Sequence, residues 1–484
     1  MAYGSFVEGV ASQPQILNPL FSQTDADRDL AKLMFSSLLS RDSTGAFQGD
    51  LALKFSLAND GKTIAFDLRP ALRWHDGQPL TADDIVYTYQ TIKRKDYSGA
   101  YAQLFQDVTV EKKGDSKIVL VSKKPSANIL NLALVPIIPK HVFAKDALPF
   151  NPEFNANPIG SGPFRYSRAI FSQSGELTSI ELVANKDYYR GEPYLSKFSI
   201  RFFKNSAELL EAVRRGEISG ALETELAADS AGLKLNDSAQ PAYLAAFFNL
   251  GNAILAKQGV REALELALDR QAMQQQFGKS FGKEIEGPTF GVSGSIPSAD
   301  LALAKKKILD AKLTRYDLKL LTLNDKKFLD LADFLKTSWQ KLGLAVKVKA
   351  QSKQALEQVA IPEHDFDILL FGQSFGFGAD AFSFWHSSQI ANGGNASSWQ
   401  NKKADELLAK SRETVDAQER GKLLEQVAQL LIKNKPALFL FQPNFVYGLK
   451  PEVKGAQIAN MQTASDRFAE VEKWYVKTKR VRVK

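Results

Sequence analysis

The chain has 484 residues, of which 44% are hydrophobic and 24% are charged, and it contains no cysteine. These proportions exclude a disordered or fibrous chain and favour a globular protein of about two to four domains. The absence of cysteine excludes disulfides, thiol nucleophiles, and thiolate sites for zinc or iron–sulfur clusters.

The formal net charge of +8 comes from 62 basic and 54 acidic residues. These residues are mostly interspersed, and no basic stripe alternates with aromatic residues, so we predict no nucleic-acid partner. The one dense basic run is "KTKRVRVK" at 477–484. It indicates a solvated tail or an edge strand, with attraction to an anionic lipid or cell-wall polymer as the alternative.

The N-terminal residues "MAYGSFVEGVASQPQ" have neither the basic region nor the apolar region of a signal peptide. No stretch reaches the ~18 apolar residues that a membrane span requires. From the residues alone, the protein is therefore either cytoplasmic or an exported protein whose signal segment is absent from this sequence.

The predicted elements alternate between strands and helices. Period-two alternation and short apolar runs predict strands at 62–74, 116–125, 179–189, 197–205, 316–324, 344–352 and 366–373. Helical periodicity predicts helices at 206–218, with Ser206 as N-cap, at 261–277 and 328–344, and two more within 403–436. This alternation favours an α/β fold with parallel pairing. Segments 151–164 and 242–256 are the candidate domain boundaries.

The stretch "RWHDGQPLTADDIVYTYQ" (73–90) concentrates an imidazole and carboxylates. Asp76 and Gly77 suit a tight turn, and Thr81 is a good helix N-cap with Asp84 completing a capping box. Because each charged residue has a structural use, we interpret the stretch as scaffold rather than as an active or metal site.

No catalytic residue, metal site or cofactor is predicted. The four histidines, none of them at metal-ligand spacing, are His75, His141, His364 and His386. The chain has no nucleophile elbow and no phosphate-binding glycine motif. His386 is the histidine of most interest because it lies in the next segment.

The segment "FGQSFGFGADAFSFWHS" (371–387) gathers phenylalanines, glycines and Trp385 around Asp380. Glycines permit close approach of a ligand backbone, aromatic rings supply apolar walls, and a carboxylate pairs a ligand cation. Composition alone leaves two interpretations open, a ligand pocket or a loop packed over the core.

Several segments, in one order along the chain, resemble those of the extracellular solute-binding proteins of the peptide/nickel group, family 5. The matching segments are 13–39, 72–90, 157–164, 247–273, 366–380, 417–441 and 451–455. The resemblance covers nearly the whole chain. It implies an α/β fold of the periplasmic binding protein-like type II class (cluster C), with two hinged lobes that close on a ligand and a subdomain inserted in the first lobe.

The domain boundaries that follow from the resemblance are expectations. Lobe I would comprise 1–40, 165–245 and 459–484, with the inserted subdomain at 41–164. Lobe II would span 246–458.

The resemblance also implies a ligand site. In oligopeptide-binding members an aspartate pairs with the peptide α-ammonium three residues after an aromatic residue, and Phe377-Gly378-Ala379-Asp380 has that spacing. Phe377 replaces the usual tryptophan. The peptide would run along this segment as an added strand. The other residues expected near the ligand are Phe375, Trp385, Asn249, Gln23, Thr24, Asn395 and Trp399.

The implied function is the substrate-binding component of an ABC importer that captures short peptides and delivers them to the transmembrane permease subunits. Such a protein is not an enzyme, is exported, is periplasmic or lipid-anchored, and is expected to be a monomer. After Asp380 the chain reads "AFSFW", where family members often have an acidic residue and proline. A non-peptide solute, such as a metal chelate, an oligosaccharide or haem, therefore stays open. So do a hydrolase and a cell-envelope interaction protein without a role in transport.

Overall fold

The computed structural model describes residues 4–143, 151–223, 226, 232–290, 295–312, 317–375, 380–391 and 393–476. The chain divides into two compact units, Met1–Ser238 with Phe445–Lys484, and Ala239–Asn444. The finer division expected from the resemblance, with a subdomain at 41–164, stays a prediction. Within the described ranges, no helix combines the length and apolar character needed to cross a membrane.

Strands and helices are numbered in chain order. The strands are β1 (Ser5–Val10), β2 (Leu39–Arg41), β3 (Phe47–Gly49), β4 (Ala52–Leu57), β5 (Thr63–Leu68), β6 (Val108–Lys112), β7 (Lys117–Ser122), β8 (Phe164–Phe171), β9 (Leu177–Ala184), β10 (Lys197–Phe202), β11 (Gly220–Leu222), β12 (Lys234–Ala239), β13 (Ala242–Phe248), β14 (Lys283–Glu284), β15 (Asp317–Leu323), β16 (Ala345–Gln351), β17 (Ile368–Ser374), β18 (Ala437–Gln442), β19 (Asn444–Leu449), β20 (Val453–Lys454) and β21 (Tyr475–Val476). The helices are α1 (Asp25–Met34), α2 (Ala82–Ile92), α3 (Pro152–Ala156), α4 (Ser206–Arg214), α5 (Gln258–Leu266), α6 (Arg270–Phe281), α7 (Leu301–Asp310), α8 (Lys326–Gln340), α9 (Lys353–Ala355), α10 (Ile361–Glu363), α11 (Ala381–Trp385), α12 (Lys402–Glu413) and α13 (Ala417–Asn434). A π-helical turn at Leu356–Ala360 joins α9 to α10.

The predicted strands are confirmed as β5, β7, β9, β10, β15, β16 and β17, and three of the predicted helical segments as α4, α8 and the pair α12 and α13. Two details were wrong. Asn205, not Ser206, caps α4 by accepting a hydrogen bond from the Glu208 backbone. The helix predicted at 261–277 is two helices, because the Asp269 side chain caps α6 and starts a new helix there.

The first unit contains a seven-stranded mixed sheet in the order β12-β19-β11-β1-β10-β9-β8. Its centre, β1, pairs in parallel with both β10 and β11. The Phe6 side chain on β1 is fully buried, with its ring 4.9 Å from that of Phe198 and 5.4 Å from that of Trp474. The N-terminal strand is therefore held by residues from the middle and the end of the sequence.

A second sheet of the first unit, in the order β4-β5-β7-β6, packs with α2. The predicted capping box of α2 is confirmed, because Thr81 accepts from the helix backbone and Asp84 accepts from the Thr81 N–H at 2.9 Å. The second carboxylate oxygen of Asp84 accepts the N–H of Lys140 at 3.0 Å. Asp84 thus also fixes the segment after β7.

His75, from the same stretch, binds the loop before β8. Its Nε2 lies 3.0 Å from the carbonyl oxygen of Gly162, and its Nδ1 accepts the N–H of Gly160 at 3.2 Å. Burial lowers the pKa of His75 to about 4, so the ring stays neutral. A Cβ at Gly160 would lie 1.8 Å from the carbonyl oxygen of Met34, which requires glycine there. His75 and the glycine-containing segment 157–164 are therefore one structural unit.

The second unit contains a six-stranded sheet in the order β14-β18-β13-β17-β15-β16. Every residue of its strand β13 is buried. Leu244, Ala246 and Phe248 enter the core on one face of the sheet. Tyr243, Ala245 and Phe247 enter the core on the other face, where the segment that follows β17 also packs.

Candidate ligand-binding segment

Strand β17 has one fully paired edge and one partly paired edge. It pairs with β13 along its whole length, from Ile368 to Ser374. Its pairing with β15 ends at Leu370, whose carbonyl oxygen accepts a hydrogen bond from the Thr322 hydroxyl at 3.1 Å. From Phe371 to Gln373 the second edge has no strand pairing among the residues that the structure describes. An open strand edge can accept an extended peptide.

Phe375, directly after β17, joins a cluster of aromatic rings. Its half-buried ring lies 5.5 Å from Tyr243, 5.4 Å from Phe290 and 5.3 Å from Phe384, centroid to centroid. These distances are those of favourable aromatic packing. The cluster gives the end of β17 an apolar wall.

A network of hydrogen-bonded polar side chains supports this apolar wall. The indole N–H of Trp385 donates to the Tyr243 hydroxyl at 2.8 Å, and that hydroxyl donates to the Gln373 side chain. Gln373 in turn donates to the carbonyl oxygen of Gly394 at 3.1 Å. The Trp385, Tyr243 and Gln373 side chains of this network each have a hydrogen-bond partner, so the apolar wall has a defined position.

Asp380 is the N-cap residue before α11, and its carboxylate accepts several hydrogen bonds. Its Oδ1 accepts from the backbone N–H and from the hydroxyl of Ser383, both at 3.1 Å, as a helix N-cap. Arg412, in the last turn of α12, donates to Oδ2 at 2.6 Å and to Oδ1 at 3.1 Å. The Arg412 guanidinium lies 3.9 Å from the centroid of the Phe382 ring. The side chain of Asp380 stays 22% exposed and that of Arg412 stays 44% exposed.

Three of the residues expected near the ligand are deeply buried. Trp385, Asn395 and Trp399 are exposed by 1%, 0% and 3%. The Asn395 side chain donates to the carbonyl oxygens of Trp385, His386 and Trp399, so it fixes the turn between them. These side chains support the segment from within the core, and the ligand contact that the resemblance implied for them stays a prediction.

The other expected residues also have local structural partners or lie elsewhere. Asn249 donates to the carbonyl oxygens at 364 and 366 and accepts from the backbone at 251. Gln23 and Thr24 belong to the first unit, where Gln23 is exposed and Thr24 caps α1 in a capping box with Asp27. Phe377, Gly378 and Ala379 lie outside the described residues.

Sequence reasoning did not identify Arg412 or Tyr243 as part of this region. Arg412 lies 32 positions after Asp380 on a different helix, and nothing in the local pattern "AKSRET" distinguishes it from other surface arginines. Within the described part of the chain, no group of three or more histidine, aspartate or glutamate side chains is arranged to hold a metal ion.

Comparisons with known proteins give a consistent result. A family model, described as "Bacterial extracellular solute-binding proteins, family 5 Middle", matches residues 46–395. The oligopeptide-binding protein AppA of Bacillus subtilis (strain 168) is 28% identical, over 98% of this chain and 92% of its own length.

Solved structures agree with the sequence matches. AppA from Bacillus subtilis in complex with a nonapeptide matches with a TM-score of 0.77 at 26% identity, over 98% of this chain and 99% of its own. NikZ from Campylobacter jejuni in complex with Ni(L-His) matches with a TM-score of 0.78 at 22% identity, over 97% and 99%. The predicted type II periplasmic binding protein-like fold class is confirmed.

Proposed function

We infer the function from one premise, that the chain belongs to the bacterial extracellular solute-binding proteins of family 5. We propose that it captures short peptides for an ABC importer. The open edge of β17 from Phe371 to Gln373 is the observation that carries the peptide assignment. A peptide added there would use main-chain hydrogen bonds, which every peptide can form whatever its side chains. The similarity to AppA, which binds a nonapeptide, supports the same assignment.

Asp380 is the proposed anchor for the peptide α-ammonium. It follows the open edge in the sequence, it is partly exposed, and its partner Arg412 lies over the Phe382 ring. We expect Asp380→Ala to lower peptide affinity by at least about tenfold, since a charge-assisted hydrogen bond in a partly dry site is lost. Calorimetry that shows unchanged affinity for free-amino peptides would remove Asp380 from the site.

The ligand class is tested directly by native mass spectrometry of the purified protein. Masses of peptides bound one to one support the proposal, whereas a metal chelate, a sugar or haem supports the non-peptide alternative, which the aromatic segment "AFSFW" favours. We further propose that the protein binds peptides without cleaving them. Incubation with a peptide mixture should then yield no new fragments.

The proposed setting is outside the cytoplasmic membrane, periplasmic or lipid-anchored, as a monomer that delivers peptide to the transmembrane subunits of a permease. Family membership supports export. Fractionation of the source cells tests this placement, because the protein should be recovered with the periplasm or with the outer face of the membrane.

A further inference from the structure

The proposed ammonium anchor already has a cation in this structure. The Arg412 guanidinium meets the Asp380 carboxylate through two hydrogen bonds, at 2.6 Å and 3.1 Å. A peptide ammonium approaching Asp380 therefore meets a neutral ion pair instead of a free carboxylate. Two opposite charges in contact largely cancel their attraction for a third.

The Arg412 contact can be broken without loss of the local fold. Asp380 caps α11 by accepting hydrogen bonds from the backbone N–H and the hydroxyl of Ser383, and these two bonds hold its carboxylate without Arg412. Both members of the pair are partly exposed, and ion pairs in contact with water contribute little to stability. The Phe382 ring and the Ser383 hydroxyl, 3.2 Å from Nη2, give the guanidinium neighbours other than Asp380.

We propose that Arg412 competes within the molecule for the ligand-binding carboxylate of Asp380, and that it thereby sets how strongly the protein prefers peptides with a free amino terminus. A bound α-ammonium takes the place of the guanidinium, and Arg412 moves into solvent along the Phe382 ring. The inference rests on the proposed function, since it requires a peptide whose amino terminus reaches Asp380. It adds to that function a residue that determines affinity and specificity without being required for binding.

The variants separate competition from a structural role. Arg412→Met keeps the aliphatic stem against Phe382 and removes the charge. Asp380→Asn removes the charge but keeps a side chain that caps helices well. Lys410→Met is the matched control, because Lys410 is exposed in the same last turn of α12 and its removal lowers the net charge equally.

The experiment is a capture competition. Immobilised protein is exposed to a pool of short peptides, from dipeptides to nonapeptides, mixed with the same pool N-acetylated, and captured peptides are quantified by mass spectrometry. The measured quantity is the ratio of free to acetylated peptide for each sequence. We expect Arg412→Met to raise this ratio about threefold to tenfold, because the guanidinium no longer competes with the peptide ammonium for the Asp380 carboxylate.

The expected pattern across variants is specific. Lys410→Met leaves the ratio within about twofold of wild type, and Arg412→Met has no effect when Asp380→Asn is also present, because coupled residues are not additive. A ratio unchanged by Arg412→Met, with wild-type sensitivity to Asp380→Asn, overturns the competition alone. Capture that is indifferent to Asp380→Asn overturns the proposed anchor and the competition with it, and capture of no peptide overturns the proposed function itself.

A second readout follows the arginine directly. The Nε–H resonance of Arg412, identified by its loss in Arg412→Met, should exchange faster with water when a captured free-amino peptide is added. The acetylated form of that peptide should leave the exchange rate unchanged. An exchange rate that stays constant with both peptides shows that the ion pair survives binding and overturns the proposal.

Discussion

Two arginines of this chain have the same kind of neighbours in very different surroundings. In the first unit Arg467 forms two hydrogen bonds with Asp29 and lies 4.1 Å from the centroid of the Phe468 ring. In the second unit Arg412 forms two with Asp380 and lies 3.9 Å from a phenylalanine ring. The Arg467 side chain is 1% exposed and that of Arg412 is 44% exposed. We expect this difference in burial to decide which pair is fixed and which can change partners.

The buried pair has further partners that the exposed one lacks. Arg467 also donates to Glu8 at 2.9 Å, and Glu8 accepts from the Tyr447 hydroxyl at 2.8 Å. Glu8 lies on β1, Asp29 on α1 and Arg467 near the C-terminus, so the cluster joins the two ends of the chain inside the first unit. No position in it is open to a ligand, and its role is structural.

Arg467→Met should break the buried cluster. We expect it to lower the free energy of unfolding more than any of the other substitutions. It leaves two buried carboxylates without their cation, which typically costs about 3–5 kcal/mol. Denaturant unfolding, with hydrogen exchange to identify the first unit, measures the loss. A loss below about 1 kcal/mol would contradict the assigned difference between the two arginines.

Glu8→Gln should change how stability depends on pH. Burial raises the pKa of Glu8 to about 7, against the opposing effect of Arg467, from an ordinary value of 4.5. Because the pKa is raised on folding, the stabilisation is complete below the ordinary value and is lost as pH rises through about 7. The unfolding free energy of wild type relative to Glu8→Gln should fall by roughly 2–3 kcal/mol between about pH 5 and about pH 8. If the unfolding free energies of wild type and Glu8→Gln change with pH in the same way, Glu8 does not titrate in this range.

Asp380→Ala and Asp380→Asn should separate the two roles of that carboxylate. Both remove the charge and should weaken peptide binding alike. Only asparagine can replace the helix cap, so Asp380→Ala should be less stable by about 1 kcal/mol. Hydrogen exchange at Ala381–Trp385 reports the difference. If the two variants exchange equally, the cap contributes nothing measurable to α11.

Arg412→Met should have the smallest effect on stability, although the substitution is the same as at Arg467. The free energy of unfolding of the second unit should change by less than about 1 kcal/mol, because the pair is open to water. The same denaturant measurement applies, with Arg467→Met run beside it. A loss as large as that at Arg467 would mean that Arg412 is a structural residue and not an exchangeable one.

Features with a local signal were predictable from the sequence. Residues that are close together in the sequence were enough to predict the Thr81–Asp84 capping box, strand β17 and helices α12 and α13. The break between α5 and α6 had a signal that the helical period concealed, since Asp269 is a strong N-cap inside an apolar pattern.

Features that depend on distant residues were not predictable. Nothing near His75 indicates that its ring binds Gly160 and Gly162, some 85 and 87 positions later. In the same way, nothing near Trp385 indicates that its indole N–H donates to the Tyr243 hydroxyl, 142 positions earlier, or that Trp385 and Asn395 are both buried. Composition and the resemblance indicated a candidate segment, which stays a prediction as a ligand site, but they did not indicate which of its side chains are buried.

The most direct test of peptide capture at Asp380 is a calorimetric titration of the wild-type protein with one captured peptide in its free-amino and N-acetylated forms. We expect acetylation to weaken binding by at least about tenfold, because the ammonium contact to the carboxylate is lost. Equal affinity for the two forms would contradict it.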